Sequence, residues 1–384
     1  MIRGNTGNWI PQTINDRDYE AFYPYKLPPD PPIEWSQGLM NDLTTASIHM
    51  ARLDGAARLL PNLHLFIYSY IRKEAVLSSQ IEGTQSSLSD LLMHENEITP
   101  GVPLDDVEEV SSYIRAINEG MKRIRNGEAI SIDLLLSLHR ILLSTGRGAH
   151  KDPGQLRKVQ NWISGKTPDR ALFVPPPPDK VHSCIEQLFD YINSSSDHVL
   201  IKTALMHVQF ETIHPFRDGN GRLGRLFITL LLCKENLISE PLLYLSLYLK
   251  ENRKDYYEKL QAVRIQGDWE SWLKFFFQGL SEVCIAAFEL IQNIESLFSI
   301  DVKLIETKCG RKSRGVLELY RVFQKTPMMT IPKATELLKG RVSKPTLYSA
   351  AEELLNLGII ESLQVKENST QLYSYKKFIQ LMIN

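Results

Sequence analysis

The sequence predicts an all-α helical bundle with a small β-hairpin flap, followed by a C-terminal winged-helix domain of α+β type. Three observations carry this expectation. Apolar residues recur at helical spacing from about residue 36 to 300. One segment, 158–174, instead places Val159, Trp162, Ile163, Phe173 and Val174 around a Gly165-Lys166-Thr167-Pro168-Asp169 turn, the pattern of an isolated hairpin or flap. Residues 310–384 then read as helix (Gly315 to Gln324), helix (Ile331 to Leu338), a turn at Gly340, a third helix opening at Ser343-Lys344-Pro345-Thr346, and two short alternating runs, Ile360 to Lys366 and Gln371 to Lys377.

Composition sets the frame for these elements. A chain of 384 residues has room for two or three domains with real cores. Its 43% hydrophobic and 23% charged content is globular, and a net charge of -1 gives no global attraction to nucleic acid or membrane. Cys184, Cys233, Cys284 and Cys309 lack CxxC spacing, so neither a zinc ribbon nor a disulfide framework is expected. Reduced thiols fit a cytoplasmic location. The first residues mix Arg3, Asn8, Asp16, Arg17 and Asp18 without an apolar core, and the most apolar run, Leu226 to Cys233, is too short to cross a bilayer. No membrane association is expected.

Residues 1–35 form a proline-rich arm, with Tyr23-Pro24-Tyr25 and Pro28-Pro29-Asp30-Pro31-Pro32, read as extended and excluded from regular helix or central strand. Punctuation at Pro61, Gly101-Val102-Pro103, Gly146 to Gly154, the prolines 175–178 and Ser194 to Asp197 divides the helical region. Residues 310–384 hold twelve Lys or Arg against six Asp or Glu, a surplus of six positive charges where the rest of the chain is negative by seven. The basic face is therefore local.

The chemistry concentrates at residues 214–225, His-Pro-Phe-Arg-Asp-Gly-Asn-Gly-Arg-Leu-Gly-Arg. The helix before it takes Asp197 as N-cap and Leu200, Ile201, Ala204, Leu205, Val208 and Ile213 as its apolar face. After it, Leu223, Leu226, Phe227, Leu230 and Leu231 give a second core helix. Gly219-Asn220-Gly221 between them suits an anion nest at a helix N-terminus. Arg222 and Arg225 share one face of the first turn and reach a polyphosphate. Asp218 is an oxygen ligand suited to Mg²⁺. His214 is a general base near neutral pH, and Phe216 an apolar peg fixing the loop. His207, Glu211 and His214 also stand at helical or near-helical spacing, but the HExxH order is absent and no third zinc ligand is evident.

With every defining position filled, 214–225 resembles the signature of the Fic (Fido) family, HxFx[DE]GNGRxxR. The resemblance covers roughly residues 40–300 as an all-helical core, within a core domain taken as 36–300. It implies transfer of AMP from ATP to a Tyr, Thr or Ser hydroxyl of a protein, the chain itself included, with release of pyrophosphate. In that role His214 deprotonates the hydroxyl and Asp218 holds Mg²⁺. Gly219, Asn220 and Gly221 cradle the α-phosphate, Arg222 and Arg225 neutralise its β/γ end, and Leu223 and Gly224 lie at the nucleotide. The same similarity puts Tyr256 and Tyr257 near adenine, and the flap residues Trp162 and Ile163 beside the active site. Upstream, Ser78-Ser79-Gln80-Ile81-Glu82-Gly83 resembles the family's inhibitory motif [ST]xxxE[GN]. It implies a helix of about 61–83 whose Glu82, beside Ser78 and Gly83, pairs with Arg225 where the γ-phosphate belongs. The family also implies a homodimer.

Other readings stand beside this one. The same residues serve removal of AMP if Glu82 orients a water, and Fic-like proteins use UMP, phosphate or phosphocholine donors. A transcription regulator is a reading of another class, with Lys344, Thr346 and Tyr348 facing DNA, Arg341 meeting phosphate and Lys376 or Lys377 in the wing. A protein-docking or dimerisation role for residues 310–384 is its bland counterpart.

Overall fold

The computed structural model describes residues 3–60, 63–363 and 371–383. The chain opens with an antiparallel hairpin, β1 (Gly7–Ile14) and β2 (Arg17–Pro24). A helical body follows: α1 (Gln37–Leu59), α2 (Leu63–Ile81), α3 (Leu88–His94), α4 (Leu104–Arg125), α5 (Ile132–Leu142), α6 (Pro178–Ser194), α7 (Val199–Ile213), α8 (Asn220–Lys234), α9 (Ser246–Glu251), α10 (Arg253–Gln266) and α11 (Trp269–Lys308). The C-terminal unit is α12 (Ser313–Lys325), β3 (Met328–Thr330), α13 (Ile331–Leu337), α14 (Lys344–Asn356), β4 (Glu361–Leu363), β5 (Leu372–Ser374) and α15 (Lys376–Ile383).

In the body, α7 and α8 are buried along almost their whole length, as near-continuous apolar sequence requires. They pack on one another, α4 closes over α8, and α2 crosses α4, α8 and α9. Gly120 allows the α4 contact: a Cβ there would stand 2.8 Å from Leu230 Cδ1 and 3.3 Å from Leu138 Cδ1. The 40-residue α11 lies against α1 and α7. By length and composition it is the one helix among the described residues able to cross a membrane, a feature the Leu226–Cys233 run did not reveal. Trp272, Leu273, Phe276, Phe277 and Leu280 of α11 are buried in the common core. All four cysteines are free and buried.

The N-terminal arm is extended as expected, but it is paired into a hairpin. Asn15 and Asp16 take φ of 48° and 58°, the left-handed pair of a two-residue hairpin turn. Both strands are edges, so Pro11 costs no ladder bond that a central strand would need. The arm is pinned to the body: Arg3 Nη1 donates to Glu270 Oε2 at 2.7 Å, Gln209 Nε2 to the Tyr25 carbonyl at 2.8 Å, and the Phe22 amide to the Val174 carbonyl at 2.8 Å. Phe22 is fully buried against Trp9 and Phe173.

The expected hairpin flap is corrected in extent only. Residues 158–174 fold back on themselves through one antiparallel bridge, Ile163 to Phe173, around a short 3-10 turn at Pro168–Arg170. The pairing goes no further beyond Phe173, where the Val174 carbonyl accepts from the Phe22 amide of the N-terminal hairpin. The cap of α7 is a second correction. His198 Nδ1, not Asp197, accepts from the Leu200 amide at 3.2 Å, while Asp197 Oδ2 is taken by Tyr191 and Ser195.

In the C-terminal unit the three sequence-predicted helices are present, and Ser343 caps α14 as its position suggested. The strands form an antiparallel sheet in the order β3-β5-β4. Among the described residues of the two alternating runs, Glu361–Leu363 pairs with Leu372–Ser374. Lys376 and Lys377 open α15 and are not wing residues, because the FIQLMI stretch after them is amphipathic at helical spacing and buries Phe378, Ile379 and Met382. Residues 364–370, with Lys366, and Pro61, the expected start of the inhibitory helix, lie outside the described residues. Lys344, Thr346 and Tyr348 are exposed on the first turns of α14.

Because Phe22 ties the hairpin to the base of segment 158–174, Phe22→Ala should lower unfolding free energy by about 3–5 kcal/mol. Urea melts of the two proteins check this; a loss below about 1 kcal/mol would show that the arm rests on the body without being part of its core.

Candidate active site

The site forms where α7 ends and α8 begins. His214 terminates α7 in the left-handed region (φ 48°), unusual for a side chain with a Cβ and therefore dependent on its surroundings. Its carbonyl accepts from Arg157 Nε at 2.9 Å and Asn161 Nδ2 at 3.3 Å, and the Arg157 amide donates to the Pro215 carbonyl at 3.0 Å. Segment 157–161 is thus the brace of the loop that joins α7 to α8. Asn161 extends it by donating to the Phe216 carbonyl at 3.0 Å.

Phe216 is the buried peg that the sequence predicts, stacked on His139 with ring centroids 3.7 Å apart. His139 Nδ1 accepts from the Gly154 amide at 2.8 Å, so its proton sits on Nε2 and is donated to the Asp218 carbonyl at 3.1 Å. Burial holds the His139 pKa down to about 4, which keeps this neutral tautomer at physiological pH.

Asn220 has a role within the loop as well. Its Oδ1 accepts from the Phe216 amide and its Nδ2 donates to the Phe216 carbonyl, both at 2.9 Å, so the side chain staples the loop. The backbone remains available. Gly219 starts α8 at φ 76° with no side-chain cap, leaving the first amides of the helix to an external anion.

That anion place is filled by Glu82. It follows the last residue of α2, where Gly83 (φ 98°) ends the helix. A Cβ on Gly221 would lie 2.2 Å from Glu82 Oε1, so the carboxylate rests directly on the glycine. Arg225 Nη2 donates to Glu82 Oε1 at 2.7 Å and to the Ser78 carbonyl at 2.8 Å, and Arg225 Nε donates to Ser78 Oγ at 2.8 Å. Ser78 and Glu82 thus both meet Arg225, while Gly83 only ends the helix. Burial alone would raise the Glu82 pKa, but the Arg225 guanidinium outweighs it and holds the carboxyl below its usual range. For Arg225 burial disfavours the charge and Glu82 more than restores it, so this cation is firmly held.

Arg222 points elsewhere. It is buried and donates from Nη1 to Glu109 Oε2 at 2.8 Å, with Asp218 Oδ1 3.7 Å from Nη2; its Nε has no partner. Glu109 also accepts from Arg147 Nε at 2.9 Å. Breaking the Glu109–Arg222 pair from one side costs about 3–5 kcal/mol, because a buried charge is then left alone. Asp218 is the exposed member, 40% accessible, its Oδ1 accepting from the Gly219 amide at 2.7 Å.

His214 Nδ1 is buried without a hydrogen bond of good geometry. Burial, then Arg264 and Arg157, lower its pKa to about 4, so the imidazole is neutral and basic in form at pH 7. Behind it, burial pushes Glu211 up to about 7. A Cβ on Gly224 would stand 2.7 Å from Glu211 Oε1, which makes Gly224 a packing glycine, and Leu223 is wholly buried in the core. Tyr256 is also buried, its hydroxyl 2.8 Å from His207 Nε2; that pairing removes His207 from any zinc site, and the described residues hold no group of three His, Cys, Asp or Glu poised for a metal. Tyr257 is 41% exposed, and Glu82 and Arg225 both act on its hydroxyl electrostatically, so it borders the site. Trp162 donates to the Gly165 carbonyl at 3.2 Å and Ile163 forms the single bridge, both in the segment that leaves the Asn161 brace.

Sequence reasoning missed Glu109, Arg157, Asn161 and His139. Glu109 alone had a local signal: an acid on the buried stripe of α4, one position from Val110 and three from the buried Asp106. The others act through backbone carbonyls 53 to 79 residues away, which no local pattern shows.

A Fic/DOC family N-terminal model matches residues 40–122, and a Fic/DOC family model matches residues 129–232. Among curated proteins, the protein adenylyltransferase Fic of Culex quinquefasciatus is 26% identical over 265 residues, covering 62% of this chain and 49% of that one. A probable protein adenylyltransferase of Aquifex aeolicus is 28% identical over 185 residues, 46% of this chain and 52% of that one. The chain spans about half the length of the curated relatives it matches. A crystal structure of a Fic family protein from Desulfovibrio desulfuricans G20 superposes with a TM-score of 0.56 at 22% identity over 90% of this chain and 97% of that chain. A segment of Fic-1 from C. elegans gives 0.51 at 20% identity over 66% and 73%. At such identities the two structures speak to the fold alone. The family models fall on the same helices, α2 to α8, that bring Glu82, His214 and Arg225 together, and the chain belongs to the Fic/DOC family.

Proposed function

We propose that this protein transfers AMP from ATP to a hydroxyl side chain of a protein, and that α2 holds the reaction off through Glu82. One observation carries the reading: a carboxylate of the chain itself sits on Gly221 and Arg225, at the uncapped start of α8, on the helix whose loop carries the neutral His214. A polyphosphate has the same requirements as that carboxylate, and the two compete. The curated relatives named as protein adenylyltransferases support the same chemistry.

With Glu82 withdrawn, the amides of Gly221 and its neighbours receive phosphate oxygens and Arg225 takes the γ end. Arg222, fixed by Glu109, lines the nest from the side. Since Nδ1 is buried, His214 uses Nε2 to take the proton of the incoming hydroxyl, whose oxygen attacks the α-phosphorus as pyrophosphate leaves in line. Asp218 fits Mg²⁺: it is a single accessible carboxylate beside the nest, and this ion takes one or two carboxylates with phosphate and water. When bound there the ion neutralises charge on the phosphates. Tyr257 borders the nucleotide side, and Tyr256 supports it from the core. Glu82, held below its usual pKa, accepts a proton poorly, which favours a blocking role over activation of a water for AMP removal.

A second reading concerns the C-terminal unit, whose exposed Lys344, Thr346 and Tyr348 suit a winged helix facing DNA. Binding of duplex DNA that weakens steeply with salt supports it, and no binding at low salt removes it.

Two outcomes test the enzymatic reading. With labelled ATP, Glu82→Gly should raise AMP incorporation at least about tenfold over the wild type, and His214→Ala in that background should abolish it. Unchanged incorporation in Glu82→Gly would defeat the blocking role. The pH profile is the second. A base whose pKa is lowered to about 4 stays unprotonated down to that pH, so activity of Glu82→Gly should hold from pH 8 to about pH 5.5 and fall only below it. Loss of Glu82 removes an influence that raises the His214 pKa, which shifts the limb further toward acid. A limb near 6.5 would show that His214 is not held as described.

A further inference from the structure

We propose that the cleft between α2 and the C-terminal unit binds a small organic anion, and that its occupancy keeps α2 in the position that places Glu82 at the site. The second half rests on the blocking role given to Glu82 above.

The cleft has a volume of about 520 Å³, within the range that small-molecule sites occupy. Tyr68 of α2 forms one wall. The other wall comes from α12 and the end of α13, with Arg321, Lys325 and Arg341 as its cations. Glu318 is the one acid of the lining, and Arg321 Nη1 holds it at 2.7 Å. Among the described residues Lys325 and Arg341 have no carboxylate partner. Val322 and Leu338 are buried in the floor, and Leu337, 48% exposed, stands at the rim. Arg341 Nε donates to the Leu338 carbonyl at 3.3 Å, so both cations lack only an anion, and two such cations above an apolar floor call for a negative group carried on an apolar body. A bare inorganic ion would leave the floor wet, and a neutral apolar molecule would cover the cations without pairing them.

This cleft sits at the joint between the inhibitory helix and the C-terminal unit. The Tyr68 hydroxyl donates to Glu95 Oε2 at 2.7 Å, Arg72 Nη2 donates to Glu95 Oε1 at 2.7 Å, and the Arg72 guanidinium lies 3.2 Å from the centroid of the Tyr68 ring. From the other side Lys333 Nζ donates to the Glu95 carbonyl, and Asn96 Nδ2 donates to the Met328 carbonyl at 2.8 Å. The α2 helix, 19 residues and about 28 Å long, runs without interruption from this joint to Ser78 and Glu82. A ligand that needs both walls binds only the docked arrangement and stabilises it by mass action. The docked arrangement is the one in which Glu82 meets Arg225, so the ligand lowers transfer.

Calorimetric titration of the full chain with phenyl phosphate, and separately with inorganic phosphate, tests the site. Phenyl phosphate should bind at least about tenfold more tightly than inorganic phosphate, Lys325→Ala/Arg341→Ala should lose at least about tenfold, and the control Lys344→Ala, an exposed cation outside the cleft, should stay within about twofold. Equal affinity in the double variant, equal affinity for the two phosphates, or no binding of phenyl phosphate at about 10 mM would overturn it. This arm does not depend on catalysis, so it stands or falls apart from the proposed reaction. For the coupling, saturating phenyl phosphate should lower AMP incorporation by the wild type at least about threefold and leave Glu82→Gly unchanged. No effect on the wild type, or the same effect on both, would overturn the coupling.

Discussion

The buried guanidinium of Arg225 is the constraint on which the site is organised. A charge on the core-facing side of α8 is costly unless an anion and several acceptors surround it. The chain supplies these from a distant helix: Ser78 offers its hydroxyl and carbonyl and Glu82 its carboxylate. The need of one residue thereby fixes the position of α2, the exit at Gly83 and the filling of the nest. A phosphate meets the same need equally well. The contact that stabilises the resting arrangement is therefore the one a nucleotide would replace.

The catalytic loop is built on the opposite principle. His214 occupies a backbone conformation that L-residues avoid. Compensation arrives through carbonyls. Arg157 and Asn161 capture those of His214 and Phe216, Asn220 closes the loop on itself, and His139 captures that of Asp218. The His214 imidazole is held by its backbone and left neutral by burial. Glu109 does for Arg222 what Glu82 does for Arg225, but from within the core, where no ligand can displace it.

What the sequence disclosed follows the range of the interactions. The twelve-residue motif was legible because nest, base, acid and arginines are neighbours along the chain, and the pairing of Glu82 with Arg225 was legible through a second motif. Long-range supports were not. Arg157 looks like any loop arginine, and His139 like a residue of an amphipathic helix. Packing roles within the motif were not legible either: Gly224 makes room for Glu211, and Asn220 closes the loop. The N-terminal hairpin was hidden by its prolines, although Asn15-Asp16 between alternating segments was a turn signal. The expected flap pairs over a shorter length than its alternation suggests, since the Val174 carbonyl is taken by the N-terminal hairpin. Lys376 and Lys377 were assigned to a strand because the run before them alternates, yet the apolar spacing beyond them is helical.

The account turns on one place being shared by Glu82 and the end of a nucleotide. Crystal structures of the wild type and of Glu82→Gly, each soaked with ATP and Mg²⁺, test this directly. The γ-phosphate should lie against Arg225 and Gly221 in the variant and be displaced from them in the wild type, with the α-phosphorus in line with His214 only in the variant. The same phosphate pose in both proteins would contradict it.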